Sequence, residues 1–258
     1  LLGLGKDKDI TDDTIRNTST KITSLCRDKN IDNPFIILPE KLELKSNILQ
    51  LAAEGVYLSN YNFNKYKSKD DKNKNSNHLL KKVTFLTDQN NASKVLKDLE
   101  ILLENTLLCR DLVNETSDNS NPLTIAAEAR KFQKLSNVTC KIYAKKELEK
   151  MNMGLLLAVN RGSINPAQLV VLKYNGNPAS KKYFAIIGKG ITFDSGGLNL
   201  KPSGSIEDMR TDMAGAATAL YTFKSIAELK LKKNIYAVLP LTENLIGNES
   251  YRPGDVFQ

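Results

Sequence analysis

Two patterns of apolar positions alternate along the chain: helical spacing in some stretches, short unbroken runs in others. Leu1 to Gly5 reads as the end of a strand. Thr11-Asp12-Asp13 then offers a cap and an acidic first turn, which predicts about four turns of helix through Cys26. Pro34 to Leu38, closed by Pro39, predicts a short buried strand. Ile48, Leu51, Ala52 and Val56 share one face of a helix predicted from about Ser46 to Leu58. Lys82 to Thr87 returns as a strand, and the polar stretch from Tyr66 to Asn77 reads as an exposed loop.

From Asn91 to Val113 the helical period persists through Val95, Leu99, Leu102, Leu103 and Leu107, long enough to connect two lobes. Asn121-Pro122 starts the next helix with a cap and a first-turn proline, and this helix runs to about Leu135. Strands are predicted at Val138–Ala144, Ala167–Tyr174, Lys182–Ile187 and Asn234–Leu241, with a short helix from Lys146 and a long one from about Ser205 to Leu229. The expected architecture is α/β: two lobes, each a mixed or mostly parallel sheet flanked by helices, joined by a long helix. Residues 1–90 form the amino-terminal lobe, incomplete at its start; residues 91–258 form the connecting helix and the first part of a catalytic lobe.

Composition narrows the chemistry. The 258 residues are 41% hydrophobic and 26% charged, as in a globular protein. His78 is the only histidine, so a zinc site of two or three imidazoles cannot form within the chain. It also sits beside the polar run Lys72 to Asn77, a poor place for a buried general base. Cys26, Cys109 and Cys140 are far apart and read as three buried thiols in a reducing compartment, which predicts a cytoplasmic location. No apolar stretch reaches the length of a membrane span. The net charge of +8 brings nucleic-acid binding into question, but the lysines are interleaved with Asp and Asn and read as solvated faces.

The chemistry concentrates between Ala185 and Ala217. An apolar strand runs into Gly188-Lys189-Gly190, then Ile191-Thr192-Phe193-Asp194-Ser195-Gly196-Gly197, then Lys201. Functional groups in open α/β sheets collect just beyond the carboxyl ends of strands. Lys189, between two glycines after an apolar strand, is expected to be partly enclosed, which favours a neutral amine able to ligate a metal. Asp212 lies beside Met213 and a run of small residues, so it must pair with a cation or bind a metal. A buried Asp212–Lys ion pair is the plain structural alternative. A phosphate loop is a weak match, because the full Gly-x-x-x-x-Gly-Lys-Ser/Thr pattern is missing. A Ser195–Lys acyl-transfer pair would leave the aspartates without a task. Structural glycines alone would leave both lysines and both aspartates unexplained.

The run from Gly188 to Gly197 resembles the signature of the leucyl aminopeptidases of the cytosol aminopeptidase family. The similarity continues through Leu200-Lys201-Pro202-Ser203, Met209-Arg210-Thr211-Asp212-Met213, Gly215-Ala216-Ala217, Leu239-Pro240, Glu243-Asn244 and Tyr251-Arg252-Pro253-Gly254-Asp255. The resemblance covers roughly Arg110 to Gln258. It implies a two-metal peptidase that removes amino-terminal residues, leucine by preference, from peptides. Lys189 and Asp212 would ligate one metal, Asp194 would bridge both, Lys201 would polarise the scissile carbonyl, and Met209 would line the pocket for the first side chain. Two divalent ions are implied, zinc or manganese, with magnesium or cobalt also suited to the donors. The family also forms hexamers, so a homo-hexamer is the expected assembly of a complete protein. The family's later Asn-Thr-Asp-Ala-Glu-Gly-Arg motif is not in this sequence. The chain is therefore expected to be truncated, weak in metal binding and inactive alone. The alternatives are a nucleic-acid-binding role or an inactive assembly partner of the same fold.

Overall fold

In the computed structural model, residues 1–39, 42, 44, 46–68 and 78–257 are described. The chain divides into two units, Leu1–Leu107 and Leu108–Gln258.

In the first unit, helix α1 (Asp12–Asp28) starts at Thr11, whose hydroxyl and that of Thr14 close a reciprocal cap. Its buried stripe is Ile15, Ser19, Thr23 and Cys26. Helix α2 (Ile48–Ser59) is capped by Asn47, whose side chain accepts from the Gln50 amide. The two helices pack closely because of Gly55, where a Cβ would stand 2.3 Å from the Arg16 carbonyl oxygen. Strands β1 (Phe35–Ile37) and β2 (Thr84–Leu86) pair in parallel, with Ile36 opposite Phe85. The predicted strand at Leu1–Gly5 is not formed; those residues have no regular secondary structure. The loop predicted from Tyr66 lies outside the described residues from position 69 to 77, the run Lys72 to Asn77 included. His78 Nε2 stands 2.7 Å from Asp32 Oδ1 in this unit.

Helix α3 (Ala92–Asn114) is unbroken, as its long helical period predicts, and the boundary between the units falls within it. In the second unit α4 (Pro122–Lys131) starts at Asn121, whose side chain accepts from the amides of Leu123 and Thr124. Then follow β3 (Val138–Tyr143), α5 (Lys145–Lys150), α6 (Gly154–Asn160), β4 (Gln168–Asn175), β5 (Phe184–Ile187), β6 (Gly190–Asp194), α7 (Ala214–Glu228) and β7 (Asn234–Asn244). The sheet is mixed, in the order β3-β4-β7-β5. Strand β4 runs antiparallel to both of its neighbours, β3 and β7, whereas β5 and β6 both run parallel to β7. One face carries the core: Val170, Leu172, Ala237 and Leu239 pack against Ile125 and Ala129 of α4 and Ala216, Leu220 and Phe223 of α7.

The long strand β7 places the site. Its first half pairs with β5 and its second half with β6, ending with Asn244 opposite Asp194 after a register shift. The helix predicted as one piece from Ser205 to Leu229 is broken: a 3-10 turn, Glu207–Thr211, is followed by Asp212 and Met213, and α7 begins at Ala214. Met213 is fully buried, so packing overrides continuous helix at this point.

Candidate functional site

The carboxyl ends of β5, β6 and β7 meet the seam between the 3-10 turn and α7. Gly188 and Gly215 allow this approach. A Cβ on Gly188 would lie 2.4 Å from the Gly215 carbonyl oxygen, and the Ala216 amide donates to the Lys189 carbonyl at 2.8 Å. Lys189 and Asp212 are thereby drawn together, with Nζ 2.8 Å from Oδ1. The Asp212–Lys pair weighed from the sequence is thus present. The lysine is nevertheless not enclosed: its side chain is 59% exposed, against 19% for the aspartate. Its glycine neighbours contribute no side chain to cover it, and that corrects the expected enclosure.

A second pair lies deeper. Lys201 Nζ is 3.0 Å from Asp194 Oδ2, with side chains 30% and 14% exposed. The loop between them turns at Gly196, whose φ of +88° is a left-handed conformation suited to glycine. The Gly196 amide donates to Asp194 Oδ1 at 3.0 Å, and Asn244 Nδ2 donates to the same oxygen at 2.7 Å. Burial pushes the Asp194 carboxyl up, but Lys201 and the Gly196 and Asn244 donors outweigh it and hold the group below the usual carboxylate range. Lys201 Nζ also lies 3.3 Å from the sulfur of Met209, so the residue expected to line a side-chain pocket touches the second lysine.

Ser195 is occupied elsewhere. Its hydroxyl donates to the Asn244 carbonyl at 2.7 Å and accepts from the Gly197 amide, and the residue is buried. Such a hydroxyl is a structural tie, which removes the Ser–Lys alternative.

Sequence reasoning gave no site role to Asn244, Glu243, Ser163 or Asn165. Asn244 orients Asp194. Its neighbour Glu243 is a buried carboxylate held by neutral donors, Ser163 Oγ at 2.5 Å and Asn165 Nδ2 at 3.1 Å from each oxygen. The Thr192 hydroxyl lies 3.5 Å from the same carboxylate. The only available sign was the pair Glu243-Asn244 at the end of an apolar strand.

Asp212 Oδ2 is buried and has no hydrogen-bond partner, leaving a carboxylate oxygen beside Lys189 with its lone pairs unused. That oxygen is suited to a cation. Asp194 takes two donors on Oδ1 and only Lys201 on Oδ2, which leaves Oδ2 able to accept once more. Among the described residues, no group of three or more His, Cys, Asp or Glu side chains is placed to hold an ion. The residues therefore fit part of a metal site.

The model of the cytosol aminopeptidase family catalytic domain matches residues 107–258, and that of the family's N-terminal domain matches residues 1–70. The chain belongs to the cytosol aminopeptidase family. Among curated members, a probable cytosol aminopeptidase of Protochlamydia amoebophila is 35% identical over 260 residues, covering 100% of this chain and 52% of that protein. A probable cytosol aminopeptidase of Aquifex aeolicus is 33% identical over 258 residues, covering 100% of this chain and 51% of its own length. The chain thus spans about half the length of the family members it matches. A solved structure of the bottromycin maturation enzyme BotP in complex with Mn is similar at a TM-score of 0.86 and 29% identity, over 99% of this chain and 53% of BotP. In this family member, no helix among the described residues is long and apolar enough to cross a membrane. Cys26, Cys109 and Cys140 are free thiols, but only Cys26 is buried as expected; Cys109 and Cys140 are half-buried.

Proposed function

We propose that the chain serves the metal-dependent removal of amino-terminal residues, leucine and similar apolar ones, from peptides. The observation that carries this reading is the unpartnered, buried Asp212 Oδ2 beside Lys189, next to the Lys201–Asp194 pair. Family membership and the manganese in the related BotP structure support it.

In this reading Lys189, Asp194 and Asp212 would hold divalent ions, zinc or manganese, with further ligands supplied from outside these 258 residues. Bound ions of this kind supply a hydroxide nucleophile at neutral pH and polarise a carbonyl. The remaining work belongs to the chain. Lys201, in the inner pair with Asp194, would stabilise the negative charge that develops on the carbonyl oxygen of a peptide. Asn244 and the Gly196 amide fix the Asp194 carboxylate in one orientation. Met209, against Lys201, offers an adaptable apolar wall to the first side chain of the substrate. The working form is a homo-hexamer in the cytoplasm.

Leucine amide hydrolysis with added manganese tests this reading. Two proteins are compared: the chain itself and a chimera in which the remaining half of the Protochlamydia relative follows Gln258. Activity in the chimera that disappears in Asp194→Ala is the expected outcome. A chimera with native circular dichroism and no activity would sink the proposal.

A further inference from the structure

Glu243 is 4% exposed, and the groups that reach its carboxylate are neutral: Ser163 Oγ, Asn165 Nδ2 and, more loosely, Thr192 Oγ1. A buried charge is costly unless hydrogen bonds compensate it. Here those bonds join the end of β7 to the loop that follows α6.

That loop is braced before it meets the strand. Asn160 Nδ2 donates to the Asn165 carbonyl, Asn160 Oδ1 accepts from the Ala167 amide, and Ser163 Oγ accepts from the Asn165 amide, each at 2.9 Å. Gly162 lets the loop backbone press on the chain after β7. A Cβ there would stand 1.9 Å from the Leu245 carbonyl oxygen. Ser163 and Asn165 are therefore presented to Glu243 from a firm support.

Strand β6 meets the same end of β7. Side chains alternate along a strand, so Glu243 and Asn244 face opposite ways, and in a regular β6 Thr192 and Asp194 would share a face. They do not: Thr192 lies with Glu243, and Asp194 with Asn244. The register accounts for this. Ile191 is opposite Thr242 and Asp194 is opposite Asn244, so β6 carries one extra residue, a β-bulge. The Thr192 hydroxyl donates to the Thr242 carbonyl at 3.3 Å, and its own carbonyl accepts from Ser117 Oγ at 3.0 Å. Past the bulge, the Asn244 carbonyl accepts both the amide and the hydroxyl of Ser195, at 2.9 and 2.7 Å.

We propose that Glu243 is a positioning residue: it locks the end of β7 to the loop after α6, and so sets how Asn244 and the bulge of β6 aim the Asp194 carboxylate. A carboxylate suits this place because both of its oxygens accept and neither donates, whereas glutamine would turn one acceptor into a donor. The proposal deepens the peptidase reading and rests on it for the role of Asp194, but its first test requires no catalysis.

Hydrogen exchange followed by NMR on the full chain reads the aim of Asp194, because the Gly196 amide donates to Asp194 Oδ1. In Glu243→Gln this amide should exchange about tenfold faster relative to the Leu172 amide in the sheet core, as for the loss of one hydrogen bond. Ser163→Ala removes a single donor to Glu243 and should shift the same ratio by less. If Glu243→Gln does not fold, this milder variant decides. In the chimera, Glu243→Gln should lower kcat for leucine amide about tenfold with KM little changed. Exchange that rises equally at Gly196 and Leu172, or at neither, would overturn the proposal and leave Glu243 a packing residue. So would an active chimera whose kcat is indifferent to Glu243→Gln. A parent chimera without activity would remove the peptidase reading alone, and the exchange ratio would still decide on Glu243.

Discussion

Two Lys–Asp pairs lie close in sequence and differ in almost every physical respect. Lys201–Asp194 is the inner pair: both aspartate oxygens are engaged, by an ammonium, a backbone amide and the Asn244 amide. Lys189–Asp212 is the outer pair: the lysine is mostly in solvent and one aspartate oxygen is buried without a donor. The difference separates two uses of the same ion pair. A carboxylate with donors on both oxygens is organised by its surroundings, and its net contribution to stability is that of several charged hydrogen bonds. A half-satisfied carboxylate beside a solvated lysine contributes little to stability and retains affinity for a cation.

This contrast makes graded predictions. Asp194→Ala should have the largest effect, lowering stability in urea denaturation by about 2–3 kcal/mol, since three donors lose their acceptor. Asn244→Ala removes one of those donors and should cost about 1–2 kcal/mol, while raising the Asp194 pKa as followed by carboxyl carbon NMR. Asp212→Asn should change stability by no more than about 1 kcal/mol, because Lys189 is well solvated. The same substitution should weaken manganese binding in calorimetry more than its stability change suggests. If Asp212→Asn proved as destabilising as Asp194→Ala, the distinction between the pairs would fail.

Acid provides a finer test of the inner pair. The Asp194 pKa is depressed in the folded chain, so the stability it contributes is complete above its unfolded value of about 3.9 and is lost as pH falls through the lower folded value. The stability gap between the parent and Asp194→Asn should therefore narrow below about pH 4. Smallest of all should be the response of the thiols. Burial pushes Cys109 and Cys140 up, so both should alkylate slowly at neutral pH, as mass spectrometry would show.

Elements marked by local chemistry were legible in the sequence. Thr11 and Asn121 announce their helices because the caps are made by residues within a few positions. The long period of α3 and the apolar run of β4 needed no tertiary information. Strand β6, by contrast, opens with a glycine and is short, and α6 is an apolar run without a polar face. Neither carries a period to detect. Lys189, Asp194, Lys201, Met209 and Asp212 were singled out because they sit in one distinctive segment, and the fold brings Lys189 to Asp212 and Lys201 to Asp194 and Met209. Asn244, Glu243, Ser163 and Asn165 were not, since their roles arise only when β7 is laid beside β6. The break before α7 was equally hidden, because it answers to the burial of Met213 rather than to any helix-breaking residue.

That break has a consequence for how the chain can vary. Asp212 is fixed at both sides, by the hydrogen bond its own amide donates to the Met209 carbonyl and by the one the Ala216 amide donates to the Lys189 carbonyl. Each residue of helix accounts for about 100° of rotation. One residue added between Met209 and Ala214 would therefore either turn the carboxylate away from Lys189 or pull α7 off its anchor. The seam works as a ruler of fixed length, tolerant of changes in side chain but not in residue number.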